Sequence, residues 1–294
     1  MSSASEAITP TVGAGVPGAS TRLEPVALLA LPAGLYLFLA FALPLSLLLL
    51  ASVVGEGGFT LTAYTKFFAD PFSWTVVGNT LRAAALTTLI CLLAGYPVAF
   101  ALARAGGAVQ SLLLAALIVP LSVGVVVKAF SWTILLRSDG VVNKLLVGLG
   151  IVDAPVRLIF TEPGLILGAV NIFLPFMVLP IFSVVKLIDP RLPEAAATLG
   201  SSPLHRFLHV IVPLTMPGVI AGIAFVFSMS VSMYVIPTLL MGDRFKTLST
   251  LIARSFLFMR DRSLGSCVSV VLLLIAVAVV VASALLTRRW QPKA

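Results

Sequence analysis

Six stretches of this chain run for about 20 residues or more without an Asp, Glu, Lys or Arg, the length a helix needs to cross a bilayer. The gaps lie between Glu24 and Glu56, Arg82 and Arg104, Arg104 and Lys128, Glu162 and Lys186, Arg206 and Asp243, and Arg262 and Arg288. At 1.5 Å per residue, such a run spans ~30 Å of hydrocarbon. A soluble domain carries about 25% charged residues and must cover its core with polar groups. Here 60% of the 294 residues are hydrophobic and 10% charged, with a mean hydropathy of +1.14. The expected fold is all-α, a polytopic membrane bundle of six transmembrane helices over about 27–53, 81–103, 111–135, 164–186, 214–239 and 265–287. These spans make up one domain, 25–290, behind a Ser-, Ala-, Thr-, Gly- and Pro-rich tail, 1–24, expected to be disordered. That tail has no basic n-region, and the apolar run after it is too long for a signal peptide.

Prolines 32, 44, 97, 120, 175, 180, 217 and 237 fall inside the runs. Neighbouring helices can satisfy the carbonyls that proline frees, so kinks are expected rather than interruptions. The net charge of +8 comes from basic residues scattered over loops and helix ends. With no basic run and no nucleic-acid fold signature, it reads as topology and headgroup contact, not nucleic-acid binding. Cys91 and Cys267 have neither metal-ligand nor disulfide spacing and read as small packing residues.

Six crossings put both termini on one side. Lys and Arg counts divide eight against nine between the two sides, so charge alone does not orient the chain.

The most informative polar segment is 187–213, between the fourth and fifth spans. Asp189-Pro190 suits an N-cap followed by proline at N1. Glu194-Ala195-Ala196-Ala197 favours helix, with Glu194 near the positive end of the dipole. Gly200 can take a left-handed C-cap conformation, and Ser202-Pro203 restarts a helix. The expected product is a compact helix–turn–helix knob outside the bilayer. The alternative is an amphipathic helix lying on lipid, but successive alanines give little apolar anchor and suit close packing in a protein groove.

Glu194-Ala195-Ala196, Gly200 and Val210-x-Val212-Pro213 resemble, at matching spacing, the EAA loop of permease subunits of binding-protein-dependent (type I) ABC importers. Valines stand where that pattern has Ile and Leu. GYPVAFALA (95–103), the 119–151 segment, GAVNIFLPFMVLP (168–180) and PLTMPGVIAG (213–222) are similar to the spermidine/putrescine-type branch. The resemblance implies that the loop is a cytoplasmic coupling helix seated on a separate ATPase, with both termini cytoplasmic in a bacterial inner membrane. It also implies a second permease subunit, an ABC ATPase dimer binding ATP and Mg, an extracytoplasmic solute-binding protein, and no enzyme or cofactor on this chain. No Walker A glycine-lysine motif is present. On this reading Glu194, Gly200, Ser202 and Pro203 shape the knob, and Ala195 and Ala196 make the close contact.

Polar residues within spans mark a candidate solute path, because hydrocarbon penalises them. They include Asn79, Tyr96, Lys128, Trp132, Asn171 and Tyr234, with Thr80, Ser131 and the Ser228, Ser230, Ser232 series. Many such groups only bond a neighbouring helix, and Lys128 can also snorkel to the surface. The resemblance favours a polyamine-like solute. No carboxylate lies deep in a span, so Lys128 suits an amino-acid-derived solute equally well. A proton-coupled secondary transporter would need relay carboxylates or histidines in the spans, yet His205 and His209 sit in the loop. An intramembrane enzyme would need a nucleophile–base pair or metal cluster there.

Overall fold

The computed structural model describes residues 25–55, 58–189 and 191–290; the expected tail 1–24 lies outside them. The chain forms two compact units, Met1–Leu47 and Leu48–Ala294. The helix α1, Pro25–Val53, begins in the first. Everything that follows concerns the second.

After a two-rung antiparallel ladder, Val54 to Phe59 and Gly55 to Gly58, come α2 (Thr62–Ala69) and α3 (Pro71–Arg104). The helix α3 starts ten residues before the expected span because the Asp70 side chain accepts from the Phe72 amide at 2.9 Å and Pro71 sits at N1. Its extra turns bury Ser73, Val76 and Thr80.

The expected span 111–135 is not one straight helix. It comprises α4 (Gly107–Ile118), a 3₁₀ turn (Val119–Ser122) and α5 (Val125–Leu135), bent by 100°. Pro120 cannot donate to the preceding turn and its ring crowds that turn, so the helix tightens. Val123 then closes it by donating to the Pro120 carbonyl at 3.2 Å, and Gly124 starts α5.

Beyond α6 (Val141–Gly148) lies α7 (Glu162–Lys186), close to the expected fourth span. Thr161 caps it, with Pro163 in its first turn. Next are α8 (Arg191–Thr198), α9 (Pro203–Arg206), a π-turn (Phe207–Ile211) and α10 (Val212–Val231). The last three form a single run, Pro203–Val231. The fifth span therefore grows directly out of the loop and ends well before residue 239. It stops because Pro237 lacks an amide proton, a loss a helix tolerates in its first turn. The chain accordingly breaks at 232–234 and restarts as α11 (Val235–Leu240). A 3₁₀ turn (Gly242–Arg244), α12 (Leu248–Arg254) with a π-turn (Ser255–Met259), and α13 (Arg262–Trp290) complete the fold.

The core is α7 packed between α3 and α10. Met177, Val178 and Ile181 are wholly buried there with Cys91 and Ala99. Close approach depends on Gly218 and Gly222, which share one face of α10. A Cβ on Gly218 would stand 2.8 Å from the Pro180 carbonyl, and one on Gly222 2.7 Å from the Met177 sulfur. Small residues four apart let two membrane helices meet along their backbones. A second cluster around Phe67, Val76, Leu248 and Cys267 fixes α2 and α12 against α3 and α13.

Candidate functional site: a coupling knob and a broken-helix cavity

The knob is assembled by local chemistry. The Asp189 carboxylate accepts from the Arg191 amide at 2.9 Å and starts α8. At the other end Gly200 has φ +80. Its amide bonds Ala197 O at 3.0 Å and the Ser201 amide bonds Ala196 O at 3.1 Å, the paired closure of a Schellman cap. Ser202 accepts from the His205 amide at 3.3 Å, and Pro203 follows at N1. A Cβ on Gly200 would meet nothing within 4 Å. Leu199 and Leu204 are 88% and 68% exposed, apolar groups on a polar knob with no cover from this chain. Glu194 and Ala195 are exposed and Ala196 partly so.

His205 and His209 stack one turn apart with ring centroids 3.9 Å apart. His205 lies in α9 and His209 within the π-turn that joins the knob to α10.

At the far end of α10, the breaks at 119–124 and 232–234 line one cavity together with residues of α7. Lys128, Val125, Phe173, Phe176, Ser232 and Tyr234 line a cavity of about 360 Å³ there. Lys128 and Trp132 are four apart on α5 and so share a face. The Trp132 indole donates to the Asn171 side-chain carbonyl at 3.2 Å, tying α5 to α7. Tyr234 also borders a second cavity, about 450 Å³, with Asp243, Lys246 and Arg254. Lys246 and Arg254 in turn border a third, about 650 Å³, that includes Lys66, Asp70 and Asp261. The three hollows thus share walls in sequence, away from the knob.

Asp243 is paired with Lys246 and lies 3.8 Å from Arg254. The hydrogen bond from Lys246 and its charge hold the Asp243 carboxyl below the usual carboxylate range, and Arg254 adds to this.

Of the six expected path residues, Lys128 and Tyr234 line this cavity, while Trp132, Asn171, Asn79 and Tyr96 do not. The Asn79 side-chain amide donates to Lys246 O at 3.3 Å. Its neighbour Thr80 accepts from the Leu248 amide at 2.9 Å. Tyr96 is hydrogen-bonded to Thr215 at 3.0 Å, near Phe207 and the knob. Sequence reading missed Asp243, whose partner Lys246 is only three residues away, and Arg254, whose approach to Asp243 depends on the fold. It also passed over Gly218 and Gly222, whose four-residue spacing was visible.

Residues 93–293 match the family described as binding-protein-dependent transport system inner membrane component. The chain belongs to that family. It is 38% identical over 217 residues to the spermidine/putrescine transport system permease protein PotB of Escherichia coli K12, covering 74% of this chain and 78% of that protein. PotB of Haemophilus influenzae is 37% identical over 211 residues, 72% and 73% of the two chains. Among solved structures, a bacterial alginate ABC transporter chain superposes with a TM-score of 0.75 at 17% identity, covering 91% and 96% of the two chains. That likeness speaks for the fold alone. This permease is thus a multi-pass inner-membrane subunit of an ABC importer, a translocation component whose ATP hydrolysis belongs to another chain. Family membership sets aside the proton-coupled alternative.

Proposed function

We propose that this permease passes a small polyamine-like or amino-acid-derived solute into the cytoplasm, driven through the knob 187–213 by a separate ATPase dimer that binds ATP and Mg. The observation that carries this reading is the unbroken helix Pro203–Val231. It is about 43 Å long at 1.5 Å per residue. One end is rooted in a knob with uncovered Leu199 and Leu204; the other stops at the Lys128 cavity. A groove that grips the knob therefore acts on the cavity through a stiff rod, and the π-turn at 207–211 is where the rod can yield. Rocking α10 against α7 would open the cavity to one side and then the other. A second permease subunit completes the path, and an extracytoplasmic binding protein delivers solute to the face opposite the knob. Both termini and the knob are cytoplasmic.

The solute class rests on likeness to spermidine/putrescine permeases and on the aromatic lining. Phe173, Phe176 and Tyr234 can hold ammonium groups by cation–π contact where no carboxylate lines the cavity among the described residues. Lys128 on the same wall favours the second reading, an amino-acid-derived solute with a carboxylate.

Topology and coupling are tested together. Single cysteines at Gly150 and Leu204 should label from opposite sides, Gly150 from outside; native Cys91 and Cys267 are buried and contribute little background. Solute-stimulated ATP hydrolysis should appear only when the co-expressed ATPase co-purifies. Labelling of position 204 by an impermeant reagent in intact cells would reverse the orientation.

A further inference from the structure

A fourth cavity, about 530 Å³, lies behind the knob where three membrane helices end. Arg104 closes α3, Lys186 closes α7 and Arg206 lies in the first turn of the run that becomes α10. All three line this cavity, whose walls include Phe100, Val185 and Ile211. Among the described residues, none of the three cations has a carboxylate within ion-pairing distance. Glu194 is the one acidic lining residue, so the cavity carries a net excess of two positive charges.

Helix dipoles account for only part of this. Arg104 and Lys186 stand at C-terminal ends, where a cation is favoured. Arg206 stands near an N-terminal end, where it is disfavoured. Its guanidinium reaches only the Pro193 carbonyl, at 3.5 Å. The Arg104 guanidinium is 5.9 Å from the Phe100 ring centroid and the Lys186 ammonium 5.7 Å from that of Phe182. Both are therefore steadied over aromatic faces. An apolar trough crowned by converging cations, at the level where spans leave hydrocarbon, matches a phosphodiester head whose acyl chains continue along the helices.

We infer that this cavity binds an anionic phospholipid of the leaflet on the knob side, wedged between the coupling knob and the ends of α3 and α7. The single negative charge of the phosphodiester lowers the cavity's excess of two positive charges, and its occupancy braces the knob against the bundle. Anionic lipid is therefore a structural ligand of the coupling region, separate from the transported solute.

Native mass spectrometry of the purified full-length chain tests this, after exchange into detergent containing equal phosphatidylglycerol and phosphatidylcholine. The wild type should retain phosphatidylglycerol in preference. Arg104→Gln and Lys186→Gln should each weaken retention about fivefold, and the pair about thirtyfold, from the worth of a basic residue near an anionic surface. Lys144→Gln, on α6 and outside this cavity, should change nothing. Equal retention of both lipids by the wild type would overturn the proposal without any variant being needed, and so would undiminished retention in the double variant. Displacement by millimolar inorganic phosphate would show a free-anion site instead and also overturn it. Solute transport is not part of the readout, so failure here leaves the proposed import function standing.

Discussion

At one end of the helix Pro203–Val231, every determinant lies within a dozen residues of the next. Asp189, Gly200 and Ser202 cap helices through bonds spanning at most five positions. At the other end, Ser232 and Tyr234 share a cavity with Lys128 and Phe173, brought there from three separate elements. The first end is a local object and the second a product of packing. A local object keeps its shape while its surroundings move, which suits a part that is gripped. A cavity built where broken helices meet changes shape when any of them tilts, which suits a part that must open.

That difference also governs what the sequence made legible. Caps follow rules of adjacency, so the knob was readable down to the positive φ of Gly200. Apolar runs were equally readable, because crossing a bilayer imposes one length. The breaks were not: eight prolines lay in apolar runs, and only Pro120 and Pro237 coincide with an interrupted span. Pro97, Pro175, Pro180 and Pro217 sit inside continuous helices. A membrane helix tolerates proline where neighbours can satisfy the freed carbonyl, a long-range condition that the apolar pattern does not carry. The same holds for Asn79 and Tyr96, polar residues whose partners, Lys246 O and Thr215, lie far along the chain.

If the knob is a gripped local object, damage to it should spare the bundle. This is where the largest effect is expected. Gly200→Asp places a Cβ at φ +80, costing about 1 kcal/mol or more in the cap. The added Cβ meets nothing within 4 Å in this chain. Insertion and yield should stay near wild type, while uptake and solute-stimulated ATP hydrolysis fall together by more than about tenfold. Glu194→Lys should do the same to a lesser degree, and Ser202→Ala, which removes a cap worth about 1 kcal/mol, less again. Recovery of detergent-solubilised complex is the readout that separates uncoupling from misfolding. Normal ATPase association and uptake in Gly200→Asp would reduce the knob to a surface helix.

Damage at the far end should show the opposite pattern. Lys128→Met keeps the length of the side chain and its apolar stem but removes the cation from the cavity wall. Assembly with the ATPase should be unchanged, while transport changes about fivefold to tenfold, consistent with losing one charge–solute contact of about 1 kcal/mol or more. The direction distinguishes the solute classes. Polyamine uptake should rise as a repelling charge leaves, and uptake of an acidic amino-acid derivative should fall. Wild-type transport of both would place the Lys128 ammonium at the lipid surface, outside the path.

The smallest expected effect sharpens the comparison at the outer hollows. Asp243 is almost wholly exposed and joins Lys246 and Arg254 between the second and third cavities. Its folded-state pKa is lowered by the Lys246 hydrogen bond and charge, so the pairing is fully formed above the ordinary carboxylate pKa. It is lost only as pH falls through the lowered value. Between about pH 6 and 8 this group stays ionised and should impart no pH dependence to uptake. Asp243→Asn, by contrast, leaves Lys246 and Arg254 facing the hollows without their carboxylate at every pH. For a cationic solute this rim change should slow uptake about twofold to threefold, more at low salt than high, because exposed charges act mainly on encounter and are screened. For an anionic solute the sign reverses. An effect larger than tenfold, or one insensitive to salt, would mean that Asp243 contacts the solute directly. The outer hollows would then belong with the Lys128 cavity as one binding site, not a vestibule leading to it.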